Sequence, residues 1–214
     1  MITIYGRATS SNVQLVMWAI GELGLEHTRL DYGHMYEGLD TPEFLAMNPH
    51  GKIPVLKDGD LVIWESAAIL RYLAATYADS TFWPDDPTTR SQVDMWAEWG
   101  KNELCNAFTV PIFWSRVRTS AAARDEAALG QAVARFNGYM AHLDQQLIGK
   151  TFVCGDAFTA ADIMIGHLLY RWFTIDVARD AHPQVEAYYT RLTERPAYQE
   201  HVMVSYDSLR AEGA

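Results

Sequence analysis

Pro54 constrains this chain more tightly than any other residue. It stands between Ile53 and Val55-Leu56, where an apolar run should begin a strand. Proline has no N–H to give to a ladder, so it belongs at the first position of a strand or in a turn. A cis Ile53-Pro54 bond meets both demands and aims the N–H and C=O of Ile53 out of the sheet, free to pair with an extended peptide. The sequence leaves the isomer open, because X-Pro bonds are more often trans. Further on, Leu61-Val62-Ile63-Trp64 reads as a short strand, and Glu65-Ser66 opens an apolar helical pattern with Ser66 as the N-cap candidate.

The segments around this stretch give the first domain its order. Ile2 to Tyr5 alternates like a strand, and Gly6 to Thr9 makes a loop before Ser10-Ser11-Asn12. Val13, Val16, Met17, Ile20 and Leu23 then recur at helical spacing, with Gly24 as a C-cap. His27 to Asp31 reads as a second strand, parallel to the first. Thr41-Pro42 opens a short helix ending near Met47, and Asp58-Gly59 turns a hairpin between Val55-Leu56-Lys57 and Leu61 to Trp64. With a helix to Tyr77, the order is βαβ-α-ββα, a thioredoxin-like domain over residues 1–78. Pro, Asp and Thr mark residues 79–89 as a linker.

Residues 90–214 carry helical periodicity alone, so the fold class is α/β followed by all-α. Pro111 should break or kink a long helix there. Thr159-Ala160-Ala161-Asp162 before Ile163-Met164-Ile165 reads as a capping box on a central buried helix, a folding role rather than a catalytic one.

Charge bounds the partners. Lys and Arg number 17 against 27 Asp and Glu, a net −10 with no basic run, which argues against a nucleic acid or an anionic membrane surface. Met1 to Tyr5 lacks a basic leader and apolar block, and the expectation is a cytoplasmic protein. Cys105 and Cys154 lie far apart, outside any CxxC or zinc spacing, so neither a metal site nor a disulfide framework is expected.

Taken together, the Asn48-Pro49-His50-Gly51-Lys52-Ile53-Pro54 stretch, the Glu65-Ser66 pair and the Ser10-Ser11-Asn12-Val13 turn resemble the cytosolic glutathione transferases. The likeness is to serine-type members of the phi, theta and zeta kind and to nu-like bacterial relatives. It implies glutathione as co-substrate, with Ile53 and Pro54 meeting its cysteinyl backbone and Glu65 and Ser66 holding its γ-glutamyl end. A free helix N-terminus favours a carboxylate, in agreement. The same resemblance puts Ser10 at the serine that donates to the glutathione sulfur, with Ser11 as the near alternative and Asn12 as a second donor. It also implies a homodimer.

This chain departs from several related classes at Leu39-Asp40, where they carry basic residues for the glycyl carboxylate. Lys52 is the expected replacement, with His34 and His50 as the other nearby cations. The resemblance implies attack by the thiolate on a hydrophobic electrophile, with Phe108, Phe113 and Trp114 as candidate walls of the electrophile site. Two other functions stay open: a glutathione-dependent disulfide reductase or peroxidase, in which Asn12 matters as much as Ser10, and a non-catalytic glutathione-binding module.

Overall fold

The computed structural model describes residues 1–213. Strand β1 (Ile2–Tyr5) lies between β2 (His27–Leu30) and β3 (Val55–Asp58), with β4 (Leu61–Trp64) at the far edge, in the order β2-β1-β3-β4. β1 and β2 are parallel, joined by helix α1 (Ser11–Glu22), as a strand-helix-strand unit demands. β3 runs antiparallel to both β1 and β4, and its register pairs Ile4 with Leu56. Helix α2 (Pro42–Met47) starts on Thr41, whose hydroxyl accepts from the Phe44 N–H at 3.3 Å. Helix α3 (Ser66–Tyr77) follows β4. The domain is thioredoxin-like, and everything after it is helical.

The connection to α4 (Pro87–Trp99) is shorter than its composition suggests. Asp86 accepts from the Thr89 N–H at 2.8 Å and Pro87 sits in the first turn, so the Pro- and Asp-rich residues at its end start the helix. Pro111 does not break the helical run beyond α4. The axis continues through a π-helical turn (Gly100–Leu104), α5 (Cys105–Phe108), a second π-helical segment (Thr109–Trp114) and α6 (Ser115–Val117). A wide turn can absorb a proline that an α-helical ladder would reject.

Helices α7 (Glu126–Leu147), α8 (Ala160–Gly166), α9 (Leu169–Thr174), α10 (Pro183–Thr193) and α11 (Pro196–His201) complete the second domain. α8 is buried throughout, at its centre. Its start is fixed by Asp162, which accepts from the Thr159 N–H at 2.8 Å, the Val153 N–H at 3.0 Å and the Tyr188 hydroxyl at 2.9 Å. Burial pushes the Asp162 carboxyl upward against the pull of these bonds.

One core serves both domains. α1 is apolar nearly all round, with one side on the sheet and the other on the helical domain, where the Trp18 ring lies 4.7 Å from Tyr198 and 5.5 Å from Phe158. Gly166 permits this contact, since a Cβ there would come within 2.8 Å of Trp18. Gly100 does the same for α4 against α8, where a Cβ would meet Ile165 at 2.9 Å. These close approaches bring the π-helical turn of the second domain up to the first turn of α1.

Candidate functional site

The loop between β1 and α1 is held from three directions. Its Gly6 N–H donates to Leu30 and its Arg7 N–H to Tyr32, which ties it to the β2 side. The Ile53 side chain packs on Gly6, where a Cβ would lie 3.2 Å from Ile53 Cβ. From the second domain, the buried Arg171 donates through Nη2 to the Thr9 carbonyl at 2.7 Å.

Ser10 is the N-cap of α1, with extended backbone (φ −87°, ψ 124°), and its carbonyl accepts from Gln14 at 2.8 Å. Its hydroxyl makes no capping bond and has no protein partner among the described residues. An N-cap serine normally spends its oxygen on the first turn. Here the half-exposed hydroxyl and the first-turn N–H groups remain for a ligand. Ser11, one residue later, is buried.

Asn12 is oriented by a contact that the sequence did not suggest. Lys101 Nζ, from the π-helical turn, donates to Asn12 Oδ1 at 3.1 Å and to Ser66 Oγ at 3.0 Å, while the Ser66 hydroxyl donates to Asn12 Oδ1 at 3.1 Å. An ammonium only donates, so the carboxamide must turn its oxygen toward Lys101 and its NH2 the other way. That NH2 has no protein partner among the described residues.

Ser66 is not the N-cap of α3 but its first residue, and its hydroxyl is committed to this node. The cap position belongs to Glu65, which is exposed and left-handed (φ 70°). For a residue with a Cβ that conformation costs on the order of 1–3 kcal/mol, and such strain clusters at ligand sites. The Ile53–Pro54 peptide is cis. Ile53 N–H and C=O have no backbone partner among the described residues. The turn before them is organised by buried Asn48, which donates to the Lys52 carbonyl at 2.7 Å and accepts from the His50 N–H at 3.1 Å. The Lys52 side chain is exposed. Beside it a cavity of about 660 Å³ is lined by His34, His50 and Gly51 together with Glu37 and Asp40.

Asn12 and Ser66 thus meet at Lys101, while Ile53 packs on Gly6 of the loop that leads to Ser10. The aromatic candidates do not act together. Phe108 and Phe113 are each 1% exposed and belong to the helical core, where Phe108 packs on Phe136 at 5.2 Å and Phe113 on Tyr206 at 5.2 Å. They are core residues and not the electrophile walls expected from the sequence, because no substrate can reach a sealed ring. Trp114, 43% exposed with the Arg118 guanidinium 4.4 Å over its ring, alone presents a surface.

Two family models match this chain, glutathione S-transferase, N-terminal domain, over residues 1–75, and glutathione S-transferase, C-terminal domain, over residues 121–191. Glutathione S-transferase GstB of Escherichia coli K12 is 36% identical over 206 residues, covering 95% of this chain and 99% of that protein. The chain belongs to the glutathione S-transferase family.

The theta class glutathione S-transferase of Xanthomonas axonopodis pv. citri, solved with glutathione bound, superposes with a TM-score of 0.90 at 40% identity, covering 95% of this chain and 98% of that one. Glutathione S-transferase 3 of Zea mays is 30% identical over 214 residues, covering 94% of this chain and 93% of that protein. The chain is accordingly a glutathione transferase, an enzyme that joins the glutathione sulfur to a second substrate. Among the described residues no group of three or more His, Cys, Asp or Glu is placed to hold a metal ion, and no helix is long and apolar enough to cross a membrane.

Proposed function

We propose that this glutathione transferase is of the serine type, with the Ser10 hydroxyl donating to the glutathione thiolate and the Asn12 NH2 as a second donor. The observation that carries the reading is that the Ser10 hydroxyl leaves its own helix uncapped. A free thiol ionises near ~8.5, so lowering it by about two units takes about 2.7 kcal/mol of preference for the thiolate. A hydrogen bond to a charged group contributes roughly 1.5–3 kcal/mol and a helix N-terminus about 0.3–1 kcal/mol. No general base is required, since the ionised sulfur is itself the nucleophile.

In this reading Ile53 pairs with the cysteinyl backbone beside Pro54. The γ-glutamyl carboxylate meets the N-terminus of α3 at Ser66, with the Lys101 ammonium 3.0 Å from the Ser66 hydroxyl, and Glu65 meets the γ-glutamyl ammonium of glutathione. The glycyl carboxylate is assigned to Lys52 and the neighbouring cavity. The enzyme is further proposed to work in the cytoplasm as a homodimer.

The test is a titration of bound glutathione, following thiolate absorbance against pH in the wild type, Ser10→Ala, Ser11→Ala and Asn12→Ala. The reading expects ionisation well below the free value, restored toward it by Ser10→Ala above all. A larger effect of Asn12→Ala would move the search to disulfide and peroxide substrates. A bound thiol with an unshifted value would replace the serine-type reading with simple binding.

A further inference from the structure

Several arginines that face a neighbouring element in this acidic chain find carboxylates: Arg71 pairs with Asp94 and Glu98, Arg195 with Glu22, and Arg116 with Asp176. Around the β1–α1 loop the pattern reverses. Arg7, Arg118 and Arg171 have no carboxylate partner among the described residues, although the chain has 27 acidic side chains available. Each comes from a different part of the fold: Arg7 from the loop itself, Arg118 from the end of α6 and Arg171 from α9.

Two of them bear on the segment that ends at Ser10. The Arg7 carbonyl accepts from the Ser10 N–H at 3.1 Å. Its Nη1 and the Ile53 Cδ1 both border Gly33, each 3.5 Å from the place a Cβ would take there. Arg171 is only 3% exposed. Its charge is met by the Thr9 carbonyl and the face of Phe113, 4.4 Å away, and its Nε, like that of Arg7, is buried with no partner. The cations feel one another: burial, then Arg118, lowers Arg7, while burial, then Arg7 and more weakly Arg118, brings Arg171 down to about 10. The half-buried Arg118 lies over the exposed Trp114.

A buried, unpaired guanidinium is costly, and gathering others around it adds repulsion. An anion relieves both penalties. We propose that Arg7, Arg118 and Arg171 form an anion subsite next to the sulfur position, and that the second substrate is an electrophile carrying a carboxylate, its apolar body against Trp114. The position of the sulfur rests on the Ser10 reading above. Arg7 and Arg118 meet the carboxylate directly, and Arg171 supplies charge from behind while fixing the loop through Thr9.

For a chloronitrobenzoate the step is a substitution. The thiol proton leaves to solvent on ionisation, and the sulfur then gives an electron pair to the ring carbon bearing chlorine. The negative charge is held by the nitro group until the C–Cl bond breaks and chloride leaves with its bonding pair.

The experiment compares 4-chloro-3-nitrobenzoate with its uncharged methyl ester, which keeps the same leaving group, in the wild type, Arg118→Gln, Arg7→Gln and Ser10→Ala. The subsite predicts that the acid-to-ester ratio of kcat/KM falls about tenfold in Arg118→Gln, chiefly through KM for the acid. It also predicts that 3-nitrobenzoate inhibits turnover of the ester by the wild type and loses that inhibition in Arg118→Gln. An unchanged ratio together with no inhibition overturns the proposal. So does a rise in KM for glutathione without one for the acid, which would assign these arginines to the carboxylates of glutathione. Ser10→Ala separates the two readings: if it spares both substrates while the acid-to-ester ratio still depends on Arg118, the serine role fails and the subsite stands.

Discussion

Helices α1 and α8 both begin on a hydroxyl residue, Ser10 and Thr159, and the two hydroxyls have opposite fates. Thr159 is buried, and both its N–H and its hydroxyl donate to Asp162, which also satisfies Val153 and Tyr188. Ser10 is half-exposed and bonds to nothing through its side chain. The Thr159 start is finished by the protein; in the reading proposed above, the Ser10 start is left for a ligand to finish. A hydroxyl at a helix start therefore reports on function only through what else fills its shell, because a closed network stabilises and an open one binds.

The sharpest way to break the contrast is Asp162→Ala. It strips partners from four buried donors, and unfolding in urea should show a loss of about 3–5 kcal/mol. Folded Asp162→Ala should retain the wild-type ionisation of bound glutathione. Ser10→Ala should do the reverse, lowering kcat/KM about a hundredfold, or about 2.7 kcal/mol in the transition state, with an unchanged unfolding midpoint. A large stability loss there would mean that Ser10 caps α1 after all.

Lys101→Met sharpens the comparison from the second domain. Without the ammonium the Asn12 carboxamide is free to turn over, and the ionisation of bound glutathione should rise by about 1 unit. An unmoved value would reduce Lys101 to a link between domains.

A further effect, spread over several pH units, is one of pH. His167, fully buried just after α8, is pushed down to about 3 from 6.5 by burial and then by the charges of Lys101 and Arg171. The unfolded chain takes up a proton below its ordinary value while the folded chain refuses it. Stability from this group is therefore complete above pH 6.5 and drains away as pH falls toward 3, by at most about 1.4 kcal/mol per pH unit. His167→Gln should flatten that slope in urea titrations between those limits, and an unchanged slope would locate acid sensitivity elsewhere.

The strands, the hairpin at Asp58-Gly59, the Thr159–Asp162 cap and the turns around Ile53-Pro54 were legible because each is written in neighbouring residues. Lys101 and Arg171 were not. Lys101 is a lone cation in a polar stretch and Arg171 one in an apolar run, and only the crossing at Gly100 and the packing of α9 aim them at the first domain. Phe108 and Phe113 were misjudged for a related reason. A π-helical turn inserts an extra residue, which rotates every later side chain by about 100° against the 3.6 period. With one such segment before Phe108 and another holding Phe113 and Trp114, the spacing of the aromatics no longer tells which one faces out. Ser66 shows a milder version, since Glu65 takes the cap through a positive φ that composition does not announce.

The wedge of Trp18 between Tyr198 and Gly166 has a consequence for recombination within the family. α1 is written in the first half of the gene, yet part of its surface is specified by residues of the second. A chimera cut in the segment between α3 and α4 would inherit α1 from one parent and its socket from the other. Exchanging halves among relatives should then succeed only when Trp18, Gly166 and Tyr198 travel as a matched set, which makes this aromatic contact, rather than the connecting segment, the true unit of inheritance.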